Sequence, residues 1–272
     1  MINELKKSYD VIAFEANTGE DIKDFLKLGF TRIYADLKSY LGFFETPVKP
    51  IVLTSNQREF IKLISKTRFI DIDQLRAFVP EGLDALYLDY ALILDEAVGK
   101  VSRIVPDILN RYTIYLGTLI NFDDAVRDTK DFEKQLKLEE MNRLSMVEKF
   151  SGCFKKNSNV TETRLGKVVR RNSDWDTLFR HMEAMNNTIR SVDRTEIKKK
   201  ITECSGYLDV LKKRIEEGSF KNASNESVKN IAALAYSVAT ELEFYSVVYY
   251  KVEALNAAIN NTVQSVTTTL NQ

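Results

Sequence analysis

With 272 residues, 44% of them hydrophobic and 29% charged, the chain can bury a core as one large domain or two ordinary ones. Lys and Arg balance Asp and Glu at 39 each, which removes any overall pull toward nucleic acid or an anionic membrane. Two cysteines, Cys153 and Cys204, exclude a disulfide framework, and no apolar run approaches the roughly 18 residues of a membrane span.

Only ten Gly and four Pro punctuate the sequence, so long helices with short joints are expected. Ile2, Leu5, Tyr9, Ile12 and Ala16 keep helical spacing. Lys6, Lys7 and Asp10 among them deny this segment the apolar core of a secretion signal. After Asn17-Thr18-Gly19 a second stripe runs through Ile22, Phe25, Leu26, Ile33, Leu37, Tyr40, Leu41 and Phe44. Pro47 and Pro50 force an extended joint, and Ser55 is placed to cap a helix reaching about Lys66. Pro50 to Leu53 and Phe69 to Asp73 are the strand candidates, so at most one small β element is predicted near residues 47–79.

From Gly82 the helical pattern resumes with Leu83, Leu86, Tyr90, Ile93 and Ala97. Pro106 reads as an early-helix proline opening a further stripe through Ile108, Tyr112, Tyr115, Leu119 and Phe122. A charged helix is predicted from Thr129 to Phe150. Ser151 to Val160 is polar and aperiodic, and reads as a linker. The predicted organisation is an N-terminal helical domain over 1–150, a linker over 151–160, and a helical bundle over 161–272.

In that last region, Ser173 and Asp176 have capping-box spacing before the stripe Trp175, Leu178, Met182, Met185, Ile189 and Val192. The phase slips at Asp193, whose spacing to Glu196 marks a fresh helix start. Ile197, Ile201, Cys204, Leu208, Leu211 and Ile215 follow, ended by Gly218. Ser224 then caps the longest pattern: Val228, Ile231, Ala235, Val238, Leu242, Tyr245, Tyr249, Val252, Asn256, Ile259, Val263, Val266 and Leu270. A helix of about 43 residues extends roughly 65 Å. The two preceding helices are shorter, at about 17 and 24 residues by the same spacing, so the last is expected to overhang them. The predicted fold is mainly α, a long-helix bundle with a heptad-patterned C-terminal helix.

A seam of that length requires a partner. The candidate interface residues are Val228, Ile231, Val238, Leu242, Tyr245, Tyr249, Val252, Asn256, Ile259, Val263, Val266 and Leu270, whether the partner is another segment of this chain or another subunit. Asn256, the one polar residue of the seam, has the character of a register device, or of a residue solvated beyond the partner's end. The closing stretch Ala254 to Gln272 has no charged residue, is rich in Asn, Thr and Gln, and is polar away from the seam.

Between Cys153 and Arg214 basic residues outnumber acidic ones nearly two to one. Lys167, Arg170, Arg171, Lys198, Lys199 and Lys200 are the candidate phosphate contacts. A solvated helix face explains such runs more simply, and no nucleic-acid motif accompanies them. His181 stands alone, with no nucleophile signature near it. Cys204 sits on a stripe where a small apolar residue belongs. Asp71 with Asp73, and Asp123-Asp124 with Asp128, have the spacing of paired carboxylates, a pattern common by chance. No phosphate loop or nucleophile elbow appears, so an enzyme is not expected, nor a cofactor, a metal or a small-molecule substrate.

Ala77-Phe78-Val79-Pro80-Glu81-Gly82-Leu83, followed by Tyr87-Leu88-Asp89-Tyr90, resembles a feature of helical virion structural proteins of large tailed bacteriophages, internal head proteins among them. In these a VPEG joint leads into a helix with a YLDY-like face, after a helical pair like Phe25 to Phe44. The resemblance spans about residues 20–150, and its non-catalytic motifs transfer no site residue. It implies a virion structural protein, made in the host cytoplasm, whose partners are copies of itself or other subunits. The alternatives are a cytoplasmic helical adaptor that binds a partner helix and a nucleic-acid-packaging protein.

Overall fold

A computed structural model describes residues 31, 34–35, 37–45, 56–66, 75–81, 83, 86–121, 160–217 and 225–271. The strand candidates at Pro50 to Leu53 and Phe69 to Asp73 lie outside them, as do the helices expected before residue 31 and over Thr129 to Phe150. The fold is mainly α. In chain order come a helical stretch over 37–45 (α1), α2 (Asn56–Lys66), β1 (Arg76–Pro80), α3 (Tyr87–Asn121), β2 (Val160–Arg164), α4 (Leu165–Val168), α5 (Asp174–Ser191), α6 (Arg194–Glu216) and α7 (Asn225–Leu270).

The chain divides into two compact units that interleave in sequence. One takes Met1–Pro47, Arg103–Ser145 and Asp193–Phe244; the other takes Val48–Ser102, Met146–Val192 and Tyr245–Gln272. This division differs from the expected one, in which consecutive domains flank a linker at 151–160. Val160, moreover, is the first residue of a strand. Two of the crossings between the units fall inside α3 and α7, where no stretch of linker composition marks them.

In the first unit, α1 buries Leu37 and Phe44, α3 buries Ile108, Leu109, Tyr112 and Leu116, and α6 buries Ile197, Ile201, Cys204, Leu208 and Leu211. Arg194, at the start of α6, lies over the rings of Phe43 and Phe44 at 5.0 and 5.4 Å and donates to both their carbonyls. At the other end of α6, Arg214 donates to the carbonyl of Ile120 near the end of α3. Backbone carbonyls at helix ends lack intrahelical partners, so an arginine there satisfies an otherwise orphaned acceptor.

The second unit holds the sheet, a two-stranded antiparallel ribbon with Ala77 opposite Thr163 and Val79 opposite Thr161. A lone ribbon is marginal in water and depends on packing. Here Ala77 and Val79 are buried, and the Phe78 N–H donates to Thr262 Oγ1 of α7 at 2.8 Å. The core is aromatic. Phe60 of α2 meets Trp175 edge-on at 4.7 Å, Phe179 stacks obliquely on Trp175 at 5.6 Å, and Tyr87 closes the group at 6.2 Å from Trp175. Edge-on geometry of this kind adds about 0.5–1.5 kcal/mol per pair beyond burial.

Three local expectations need correction. Pro106 lies inside α3 and does not open a new helix. The ring costs Ser102 its i+4 donor, while burial of Val101, Val105 and Leu109 on the surrounding turns supports the helix through it. The buried stripe of α3 begins with Tyr87, Tyr90, Ala91 and Leu94, not with Leu83, Leu86 and Ile93, which are half-buried. Ser173, just before α5, has helical backbone dihedrals and makes no side-chain cap bond; the Asp174 carboxylate instead accepts the Arg171 N–H at 3.0 Å. At Asp193 the predicted start is found, with Asp193 Oδ1 accepting the Glu196 N–H at 2.9 Å.

Candidate functional site

The heptad seam of α7 is filled from within the chain. Val238, Leu242, Tyr245, Tyr249, Val252, Asn256, Ile259, Val263 and Val266 are all buried, Leu270 is half-buried, and the side chains of Val228 and Ile231 lie outside the described residues. From Glu241 to Tyr249 every residue is buried, so this part of the helix is enclosed on all faces. The helix does not project an open seam there. Asn256 Nδ2 donates to Asn186 Oδ1 of α5 at 3.3 Å, which assigns it a partner in its own unit. From Val238 to Val266 the seam is therefore internal core, the within-chain filling being one of the two that its pattern allows.

The opposite face of α7 is different. Ala257, Asn261, Gln264 and Thr268 recur at spacings of four and three, all exposed, with Asn260, Ser265 and Thr267 half-buried beside them. No ionisable side chain occurs from Ala254 to Gln272. The exposed faces of the other long helices carry charge along their length. On α5 these are Asp176, Arg180 and Glu183; on α6, Lys198, Lys199 and Lys213; on α3, Asp107 and Arg111. Thr268 and Thr269 turn their hydroxyls back onto the carbonyls of Gln264 and Ser265 at 2.9 and 3.0 Å, leaving acceptor lone pairs outward.

No family model, curated protein or solved structure matches this chain. The site is therefore read from its own chemistry.

The candidate phosphate contacts divide between the units. Lys167, Arg170 and Arg171 belong to one and Lys198, Lys199 and Lys200 to the other. Lys198 pairs with Glu45 at 2.8 Å and Lys200 with Glu203 at 3.5 Å, while Lys199 is exposed. Arg170 and Arg171 line a pocket of about 200 Å³ with Leu88, Val169, Asp89 and Asp174. Two carboxylates there oppose two guanidiniums, so the pocket presents no field of one sign.

His181 Nδ1 lies 2.8 Å from the Asp95 carboxylate, which ties α5 to α3. Cys204 is buried beside the Thr113 hydroxyl at 3.1 Å, and burial pushes its thiol up to about 11, far from the thiolate range that reactive cysteines occupy. Asp71, Asp73, Asp123, Asp124 and Asp128 lie outside the described residues, as does Cys153. Among the described residues no group of three or more His, Cys, Asp or Glu is placed to hold a metal, and no helix is long and apolar enough to cross a membrane.

One polar constellation was missed by sequence reading. Tyr87 is fully buried, donates its hydroxyl to the Phe78 carbonyl, and lies 2.8 Å from Thr262 Oγ1. Thr262 also donates to Ala258 within α7. This triangle joins β1, the first turn of α3 and the last third of α7. Its members lie far apart in sequence, so spacing gives no signal for it. It also assigns the Tyr of the YLDY block a structural part.

Proposed function

We propose that this chain is a non-enzymatic structural protein of a large assembly, and that it docks through the outward face of α7. The observation that carries the reading is the uncharged stripe Ala257, Asn261, Gln264 and Thr268 on a helix whose other face is core. A face meant only for water is served by charge, which hydrates strongly and discourages association. Depletion of charge is the compositional mark of surfaces that are covered. The tailed-phage virion is the assembly suggested by the block Val79-Pro80-Glu81-Gly82 with Tyr87-Leu88-Asp89-Tyr90. Structural use of the groups with chemical potential supports a non-enzymatic role: Tyr87 as a tie, Cys204 as an inert core thiol and Asn256 as an interhelical contact.

Gradient sedimentation of native source material, with mass spectrometry of each fraction, tests the proposal. The expected result is recovery with large particles at a fixed ratio to their major proteins. Recovery only at the top of the gradient, as free chain or small oligomer, would overturn it and promote a helical adaptor.

A further inference from the structure

The outward face of α7 has a chemistry that selects its partner. We propose that it pairs two-fold with the same face of a second copy of this chain. The inference rests on the docking role just given to that face and names its partner.

The argument begins with hydrogen-bonding capacity. Lysine offers only donors and a carboxylate only acceptors, so neither pairs with its own copy across a two-fold axis. Carboxamides carry both functions, and a hydroxyl can accept while its proton is used elsewhere. Asn261, Gln264 and Thr268 therefore form a self-complementary row: each amide can give and receive, and Thr268 offers acceptor lone pairs. Ala257, with only a methyl, leaves room for two helix backbones to approach. A two-fold interface requires one surface to match itself, and this one does.

Charge excludes the other surfaces described. The exposed faces of α3, α5 and α6 each carry ionisable side chains. Docking any of them against α7 would strip water from those charges and give them no counter-charge. A second copy of the uncharged stripe strands no charge.

The contact is small. Residues 257–271 span about 21 Å, or four turns. A single pair of helices of that length lies at the low end of interface sizes, below about 1,200 Å² in total. Pairing should thus be weak in dilute solution and become strong only where an assembly raises the local concentration.

Sedimentation equilibrium of the purified full chain over a wide concentration range supplies the test. Wild-type protein is expected to populate a dimer reversibly as concentration rises, with little change between about 0.1 M and 1 M salt because no ionic contact is involved. Gln264→Lys places like charges across the two-fold and should weaken dimerisation at least about tenfold. The substituted residue is exposed, so circular dichroism should show an unchanged melt. Wild-type protein that stays monomeric throughout, or Gln264→Lys protein that dimerises as wild type does, would overturn the proposal. Two readings separate cleanly. A monomer that nevertheless co-sediments with particles retires self-pairing and spares the assembly role. A dimer found only at the top of the gradient does the reverse.

Discussion

Tyr87 has two tasks at one position. Its ring packs 6.2 Å from that of Trp175, and its hydroxyl bonds to β1 while lying within hydrogen-bond distance of Thr262. Burial pushes the phenol from 10.0 up to about 12. The folded state therefore holds this proton more tightly than the unfolded chain does. The stability it confers is whole below pH 10 and is lost as pH climbs through about 12. Tyr87→Phe should cost about 1–2 kcal/mol near neutrality, because it leaves the Phe78 carbonyl without that donor. Above pH 10 the gap between wild type and variant should narrow. Urea titrations followed by Trp175 fluorescence measure it, and an equal gap at about pH 8 and pH 11 would refute the assignment. The expected stripe of Leu83, Leu86, Tyr90, Ile93 and Ala97 passes over Tyr87, so neither its place at the helix start nor its role was legible. A hydrogen bond to a residue 175 positions away leaves no periodicity to read. Cys204 was the opposite case, since its place on an apolar stripe already implied a core thiol.

At the scale of elements, the seam's one polar residue acts between two helices of the same unit. Asn256 of α7 and Asn186 of α5 are both nearly fully buried and share one hydrogen bond of 3.3 Å. The Asn256 carboxamide oxygen has no partner among the described residues. Removing either partner strands the other, so Asn256→Leu alone should cost about 1–3 kcal/mol. Asn186→Leu with Asn256→Leu removes both buried amides together and should recover most of that loss. A double-mutant cycle in thermal unfolding checks this, and strictly additive losses would deny the pairing. The three closing helices were legible because heptad spacing is a local signal. Their observed lengths of 18, 23 and 46 residues follow the stripes closely. The strands were not. Val160 to Arg164 is short, lies beside a polar stretch, and becomes a strand only by pairing with residues 80 to 88 positions earlier. Pro106 misled for a related reason: a proline tolerated by tertiary packing looks the same in sequence as one that opens a helix.

For the whole molecule, the decisive fact is that α3 and α7 each contribute to both compact units without a break in the helix. Ser151 to Val160 has the composition of a linker, whereas two of the crossings between the units fall inside α3 and α7, where composition carries no mark. The seam's partner stayed open between this chain and another subunit for a related reason: a heptad pattern states that a face is covered, not which chain covers it. Leu242 decides the matter experimentally. It is 1% exposed in the first unit, whereas Trp175, the only tryptophan, reports from the second. Leu242→Asp buries an uncompensated carboxylate in the core, a loss beyond about 4 kcal/mol. If the seam were merely a docking face, this variant would keep its melt and lose only assembly. With the seam as core, its far-UV transition should fall sharply. Helix continuity adds a second expectation. Fraying α7 at residue 242 removes the turns that lead into the second unit, and helix propagation is cooperative. The midpoint seen by Trp175 fluorescence should therefore fall together with that seen by circular dichroism. A Trp175 transition that keeps its wild-type midpoint while helical signal is lost would mean that the units unfold independently despite their shared helices.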